Sequence, residues 1–209
     1  MVDLMPGFGA FTPAVSGGLL DGSELDGTQL FAGNAAMTTD WTGANASLTA
    51  NAVLAPNGAT DGASAVEDTS NSRHIVYQQK GSLTADATFR FSVYAKQNVR
   101  RYLQLIYTSD NGTAGSTSAY FDLQAGAVTD TDVIGAAQSI ANATIQAAVN
   151  GYYKCSCDVR LSATTTIVYA IFALSNVGTY GAPLDSDSPQ YTGDGTSGAR
   201  LWRPKLVQL

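Results

Sequence analysis

The chain has 209 residues, and its 11 Lys plus Arg against 17 Asp plus Glu give a formal net charge of −6 at pH 7. This length fits one domain with a short appendage, and the acidic balance argues against nucleic-acid binding, which normally requires clustered Lys and Arg. No apolar run approaches the roughly 18 residues of a membrane span, and the first residues lack the pattern of a secretory signal.

The first 27 residues differ from the rest, because Gly and Pro interrupt short apolar patches. Six apolar side chains stand out in this segment: Leu4, Met5, Phe8, Phe11, Leu19 and Leu20. Two readings are open, a disordered tail or an extended arm that orders against a partner. We favour the arm, and divide the chain into an N-terminal arm at residues 1–27 and a domain at residues 28–209.

From residue 28 onward, apolar and polar residues alternate with a period of two, and turn clusters interrupt the alternation. Residues 88–96 and 153–161 show the pattern most clearly, which is typical of half-buried strands. In the first of these, Arg90 and Tyr94 fall on the polar face. Further strands are predicted at 74–79, 101–109, 119–123, 165–174 and 199–207. This pattern predicts an all-β, antiparallel sandwich or barrel.

Two stretches need separate arguments. Residues 165–174 are apolar on both faces, which indicates a central strand covered on both sides. Residues 136–149 are rich in Ala and have helix propensity, but strands flank them, so we predict extended structure followed by a turn at Asn150 and Gly151.

Few residues offer catalytic chemistry. The one histidine, His74, has no motif that supplies a nucleophile or an orienting carboxylate. Carboxylate pairs for glycoside hydrolysis are available from Glu67, Asp68, Asp122 and Asp158, but acidic residues also cap turns. Cys155 and Cys157 would form a strained disulfide, so we expect reduced, buried thiols and synthesis in a reducing cytoplasm. We expect a protein that is not an enzyme.

Sugar binding would use aromatic rings that stack on pyranose faces, with polar groups beside them. The candidate carbohydrate-binding residues are Arg90, Tyr94, Tyr102, Gln104, Tyr120, Asp122 and Trp202. The alternative is that the aromatic side chains serve packing.

Several segments occur in an order that resembles a known family. They are Asp40-Trp41, 55–61, 65–68, 83–96, 100–102, 120–123, 150–156 and the block Tyr191-Thr192-Gly193-Asp194-Gly195-Thr196-Ser197-Gly198 that runs into Leu201-Trp202. Together they resemble the jelly-roll module of tailed-phage virion proteins, which is similar in fold to carbohydrate-binding modules and concanavalin-like lectins. The resemblance covers residues 28–209. The chain departs from the family after Trp202, where Arg203-Pro204-Lys205 replaces Gly-Ala-Gln, and at Tyr152, where the family often has Trp.

The resemblance implies an antiparallel jelly-roll β-sandwich in a virion structural protein. We expect a capsid decoration, cement or head-fibre protein on the particle surface, synthesised in the host bacterial cytoplasm. Its arm would bind the major capsid protein or other virion proteins, and we expect a homo-oligomer, a trimer. The alternative function is a virion adhesin of the tail-fibre, receptor-binding type that recognises host surface glycan, and a third is a cellular binding module outside any virus.

Cofactors are not expected, although the resemblance leaves a structural calcium open, because related jelly rolls often hold one. The oxygen-rich loops that would supply its ligands contain Asp61, Glu67, Asp68, Asp185, Asp187 and Asp194.

Overall fold

A computed structural model describes residues 29–31, 37, 39–109, 115–134, 139–160, 162, 164, 166–179 and 189–209. The predicted arm at residues 1–27, with its six apolar side chains, lies outside the described residues. The strands within the described ranges are β1 (Thr42–Ala44), β2 (Ala46–Val53), β3 (Gly62–Glu67), β4 (Asn71–Ser72), β5 (His74–Lys80), β6 (Thr88–Asn98), β7 (Tyr102–Ser109), β8 (Ser116–Asp122), β9 (Ala127–Ile134), β10 (Ser139–Ala147), β11 (Tyr153–Arg160), β12 (Val168–Ser175), β13 (Tyr191–Thr192) and β14 (Gly198–Gln208).

The strands form two six-stranded antiparallel sheets. The first sheet has the order β1-β5-β12-β7-β8-β9, the second has the order β10-β11-β6-β14-β3-β2, and β13 and β4 form a small separate pair. The two large sheets face each other across an apolar core. The predicted antiparallel jelly-roll β-sandwich is therefore confirmed. In the described part of the chain, no helix is long and apolar enough to cross a membrane.

The core consists of the inward-facing apolar residues of the strands in which apolar and polar residues alternate. Phe91 of β6 and Phe172 of β12 meet between the sheets with ring centroids 5.2 Å apart. Trp41 stacks on Phe172 at 5.0 Å, and Phe31 packs edge-on to Trp41 at 5.2 Å. Edge-to-face and offset pairs are the arrangements that aromatic rings favour. Residues outside the regular strands thus complete the centre of the sandwich.

The cysteines belong to this core. Cys155 and Cys157 are free and buried on the inward face of β11. Burial raises the pKa of both thiols, that of Cys157 to about 12. The prediction of reduced, buried thiols is confirmed.

The predictions of a central strand at residues 165–174 and of extended structure at residues 136–149 are both confirmed. Strand β12 lies between β5 and β7, and seven of its eight residues are buried. The Ala-rich stretch forms the extended strand β10. It is followed by a short 3-10 turn at Val149–Gly151, in which Asn150 has φ 58° and Gly151 has φ 73°. Asn and Gly tolerate this left-handed conformation better than other residues.

The family-like block near the C-terminus forms a buried polar network. Glu67 at the end of β3 accepts hydrogen bonds from Arg100 Nε (2.9 Å), the Tyr191 hydroxyl (2.8 Å) and the Asp194 backbone N–H (2.9 Å). Asp194 in turn accepts from the backbone N–H groups of Thr196 (2.7 Å) and Ser197 (2.6 Å). The Tyr191 carbonyl oxygen also lies 3.2 Å from Nε2 of His74 in β5, so these contacts tie the block to both sheets and its residues serve the fold.

Candidate functional site

The single histidine is enclosed by structural contacts. His74 is fully buried, with Nδ1 2.6 Å from the Asn45 carbonyl oxygen and Nε2 3.2 Å from the Tyr191 carbonyl oxygen. Each ring nitrogen therefore faces a backbone carbonyl oxygen, and the Asp68 carboxylate also lies 3.4 Å from Nδ1. His74 holds β5 against the neighbouring loops, and neither nitrogen faces a cleft.

Three of the carboxylates considered for hydrolysis are held by arginines: Glu67 by Arg100, Asp122 by Arg101 and Asp158 by Arg90. Asp122 accepts from Arg101 Nε at 2.9 Å and from the Gln124 backbone N–H at 2.9 Å. The Arg101 hydrogen bond is the main cause that lowers the pKa of Asp122 to about 2. Burial of Asp158 favours its neutral form, but hydrogen bonds from Arg90 and Asn142 outweigh this effect and lower the pKa of Asp158. Asp122 and Asp158 therefore carry a structural negative charge.

The oxygen ligands considered for calcium have other partners where the structure describes them. Asp61 accepts from Asn57 at 2.9 Å, and Asp68 accepts from the Ser70 hydroxyl at 2.6 Å. Asp185 and Asp187 lie outside the described residues. Within the described ranges, no group of three His, Cys, Asp or Glu side chains is placed to hold a metal ion.

The seven residues predicted to bind carbohydrate divide between the two opposite outer faces of the sandwich. Arg90, Tyr94 and Trp202 belong to the second sheet, where Tyr94 of β6 pairs with Trp202 of β14. The rings of Tyr94 and Trp202 are 5.3 Å apart, and they form a small cluster with Ala55 and Tyr152.

This cluster is closed to solvent. Trp202 and Tyr94 are 0% and 7% exposed, because a loop covers the outer face there and Arg203 lies over the Trp202 ring at 4.7 Å. The expectation that Tyr94 reaches a ligand from the polar face is wrong for this reason. Tyr152, at the position where the family often has Trp, is also buried and donates its hydroxyl proton to the Leu54 carbonyl oxygen. Arg90 is exposed but holds Asp158 at 2.7 Å.

The other four predicted residues lie together on the outer face of the first sheet. Tyr102 pairs with Asp122, and Gln104 pairs with Tyr120, across β7 and β8. Tyr120 and Gln104 are both 0% exposed, whereas Tyr102 is half-buried and receives the Arg101 guanidinium over its ring at 5.0 Å. Only Tyr102 of this group presents a ring near the surface.

A surface pocket of about 410 Å³ lies elsewhere on the first sheet. Strand β1 pairs with β5 only as far as Tyr77, so among the described residues no strand covers that edge of β5 beyond this point. The pocket occupies this edge. The described residues that line it are Leu30, Asp40, Thr42, Tyr77, Gln78, Gln79, Lys80 and Tyr169. We call it the β5-edge pocket.

Two tyrosines from neighbouring strands form the aromatic part of the β5-edge pocket. Because Tyr169 of β12 pairs with Gln79 of β5, it is a diagonal neighbour of Tyr77 on the same face. The two rings pack edge to face with centroids 5.9 Å apart. Both are half-buried, so each retains solvent-accessible ring surface.

Polar groups of several kinds surround these rings. Asp40, Thr42 and Gln79 are exposed, and Lys80 is half-buried. Gln78 borders the β5-edge pocket from the core side and is only 3% exposed. In the described part of the chain, neither amide atom of Gln78 has a hydrogen-bond partner. The pocket thus combines aromatic surface, one carboxylate, one ammonium group and unused amide hydrogen-bonding capacity.

Sequence reasoning missed this pocket. Tyr77 and Tyr169 lie in predicted strands, but their proximity depends on the register of β5 and β12 and on the point where β1 ends. The rise in polarity along Gln78, Gln79 and Lys80 at the end of a strand is the one signal that the sequence offers.

No protein-family profile matches the chain, and no curated protein matches it in sequence. Three solved structures are similar to it over 87% of its length. The enzymatically active domain of bacteriophage CBA120 tailspike protein 4 has a TM-score of 0.48 at 13% identity. The CBM22-1–GH10 modules of Clostridium thermocellum endo-1,4-beta-D-xylanase 10B, complexed with xylohexaose, have a TM-score of 0.48 at 15% identity. The mannan-recognising carbohydrate-binding module TmCBM27 has a TM-score of 0.42 at 9% identity. The chain spans 21%, 28% and 99% of these three chains.

Proposed function

We propose that this protein is a non-catalytic carbohydrate-binding domain and that the β5-edge pocket takes a glycan. The observation that carries the proposal is the pair of half-buried rings, Tyr77 and Tyr169, at the wall of a polar pocket of about 410 Å³. Ligand sites of this kind typically occupy roughly 300–1,000 Å³ and combine aromatic surface with a few polar groups.

The chemistry of the lining suits a sugar. A pyranose ring has an apolar C–H face that packs on an aromatic ring, while its hydroxyl groups both donate and accept hydrogen bonds. The Asp40 carboxylate can accept hydrogen bonds from sugar hydroxyl groups, the Lys80 ammonium group can donate them, and the Gln79 amide can do both. A ligand hydroxyl would also satisfy the buried Gln78 amide, whose missing hydrogen bonds otherwise cost free energy.

The same lining supports binding without hydrolysis. Glycoside hydrolysis requires two carboxyl groups on either side of the scissile bond, and the described lining contains one, Asp40. We therefore expect no release of reducing sugar from a bound oligosaccharide.

A glycan array with the full chain tests the proposal. We expect the wild-type protein to bind a subset of glycans, and the Tyr77→Ala/Tyr169→Ala double variant to lose them. Tyr102→Ala is the matched control, since Tyr102 is also a half-buried tyrosine on the outer face of the first sheet. An array with no wild-type binding, or equal loss in the control, would contradict the proposal.

Attachment to a phage particle is a second candidate function, as a capsid decoration, cement or head-fibre protein. It is supported by the apolar side chains of residues 1–27, which gain from burial against a partner. In this role the protein stands on the particle surface as a homotrimer, and the major capsid protein or another virion protein is the partner. The glycan-binding form of the same proposal is a virion adhesin that recognises the host surface.

Co-sedimentation with particles that lack the protein tests this attachment. We expect the wild-type chain to sediment with the particles at a saturating copy number, and the full-length variant Phe8→Asp/Phe11→Asp to remain in the supernatant. Equal sedimentation of the variant would contradict the role of the arm.

A further inference from the structure

The charges of this acidic protein are divided unequally between its two outer faces. The outer positions of the second sheet carry seven of the chain's 11 Lys and Arg residues, and we call this surface the basic face. Its cations are Arg90, Lys96, Lys154, Arg160, Arg200, Arg203 and Lys205. Asp158 is the one carboxylate at the outer positions of these strands, where it holds Arg90. Asp86 from a neighbouring loop holds Arg160 at 2.9 Å.

Strand register brings these cations together. Arg200 of β14 pairs with Lys96 of β6, and Lys205 of β14 pairs with Ser92 of β6. Lys154 of β11 pairs with Tyr94 on the other side of β6. Neighbouring strands are about 4.8 Å apart, so three adjacent strands place their cations on one outer face, around the covered rings of Tyr94 and Trp202. All seven are exposed or half-buried.

The opposite outer face has the reverse charge. Asp122 of β8 and Asp130 and Asp132 of β9 stand at outer positions of the first sheet. Packed sheets are about 10 Å apart, which already exceeds the Debye length of about 8 Å at physiological ionic strength. At physiological ionic strength an anion at the basic face would therefore interact mainly with the cations beside it, although the net charge of the protein is −6.

We propose that the basic face binds an acidic polysaccharide, a polymer whose repeating units carry carboxylate, sulfate or phosphate groups. Beside the cations stand the hydroxyl side chains of Thr144 and Ser64, which are exposed and half-buried, so the surface offers charge and hydrogen bonds. It lacks an exposed aromatic ring among the described residues of its strands, because Trp202 and Tyr94 are buried.

The burial of the Tyr94 and Trp202 rings favours a polysaccharide over nucleic acid or protein as the partner of the basic face. Single-stranded nucleic acid binds by stacking its bases on exposed aromatic side chains, and tight protein interfaces depend on exposed apolar or aromatic anchors. The exposed large apolar side chains of the described residues are Leu54, Val99, Val133, Val149, Val177 and Leu209, and none is on a strand of the basic face. A hydrophilic polyanion needs neither feature. This site lies on the opposite sheet from the β5-edge pocket and is independent of it.

Heparin, a sulfated polysaccharide, is the probe for a binding titration at several NaCl concentrations. We expect the full-length wild type to bind it with an affinity that falls as salt rises. In the double variant Lys154→Gln/Lys205→Gln, binding should weaken at least tenfold. The slope of log affinity against log salt should become shallower, because a protein with two fewer cations releases fewer counterions from the polyanion. Arg73→Gln/Arg101→Gln is the matched control, because it removes two charges that lie outside both the basic face and the β5-edge pocket and should leave affinity within twofold.

Asp158→Asn is a second test variant, and its expected effect on heparin affinity is opposite to that of the lysine variant. It removes the carboxylate of the basic face at nearly constant shape, so we expect binding to tighten about threefold. Absence of heparin binding by the wild type at 50 mM NaCl would overturn the proposal, as would equal weakening in the Arg73/Arg101 control. Tighter binding of single-stranded or duplex DNA than of heparin would overturn it in favour of nucleic acid.

Discussion

Replacing Glu67 with Gln removes the charge from the buried network that joins β3 to the block at residues 191–198. The Glu67 side chain is 0% exposed and that of Arg100 is 18% exposed. The Arg100 guanidinium also lies 4.8 Å from the centroid of the Tyr191 ring. In Glu67→Gln the arginine keeps its place but loses its counter-charge inside the protein.

The expected loss in the free energy of unfolding is about 3 kcal/mol, since leaving one charge of a buried pair uncompensated costs about 3–5 kcal/mol and glutamine retains one acceptor oxygen. For a chain of this size, that loss lowers the melting temperature by about 6–12 °C. Removing both charges in Glu67→Gln/Arg100→Gln should cost less than the sum of the two single variants, because no uncompensated charge remains.

Urea unfolding followed by tryptophan fluorescence measures these differences. Arg160→Gln is the matched control, because it breaks the Arg160–Asp86 pair, whose side chains are 55% and 58% exposed, and exposed pairs contribute about 0.5 kcal/mol or less. A Glu67→Gln variant within about 1 kcal/mol of wild type would refute the reasoning that the network stabilises the fold through its buried charge.

Three other predictions follow from single contacts. Because the pKa of Asp122 is lowered to about 2, below its unfolded value of about 3.9, its contribution to stability is present above pH 4 and is lost as pH falls toward 2. Asp122→Asn should flatten that part of a stability-against-pH curve, and an unchanged curve would contradict the assignment. Cys155 and Cys157 should be inert to Ellman's reagent in the native protein and react fully in urea, whereas rapid native reaction would show that β11 opens. Gly193→Ala should destabilise the protein by about 1–3 kcal/mol, because an added Cβ would lie 2.0 Å from the Asp68 carbonyl oxygen; unchanged urea unfolding would show that the backbone yields there.

The strands that the sequence predicts are those with a clear apolar face. Residues 88–96 and 153–161 alternate strictly, and both are central in the second sheet as β6 and β11. Strands β2, β3 and β9 are not predicted, because they consist mainly of small or polar residues without a continuous apolar face, and β2 and β9 also lie at the end of a sheet. Edge strands depend on one neighbour, and a single sequence does not show where that neighbour is.

The predicted aromatic binding residues also show that a single sequence does not reveal which neighbouring elements cover a side chain. Alternation correctly placed Tyr94 on the outer face of β6, but an outer face is exposed only where nothing covers it. The loop that contains Ala55, together with Tyr152 and Arg203, covers Tyr94 and Trp202. The rings that do reach the surface pocket, Tyr77 and Tyr169, come from strands far apart in sequence.

Calorimetric titration of the strongest array glycan into Tyr77 and Tyr169 variants tests the central claim most directly. If the rings bind by stacking, Tyr77→Phe and Tyr169→Phe should keep their affinity within about threefold. Each alanine variant should lose about tenfold, which corresponds to roughly 1.4 kcal/mol. Wild-type affinity in both alanine variants, with the fold intact, would place the glycan elsewhere and contradict the assignment of the β5-edge pocket.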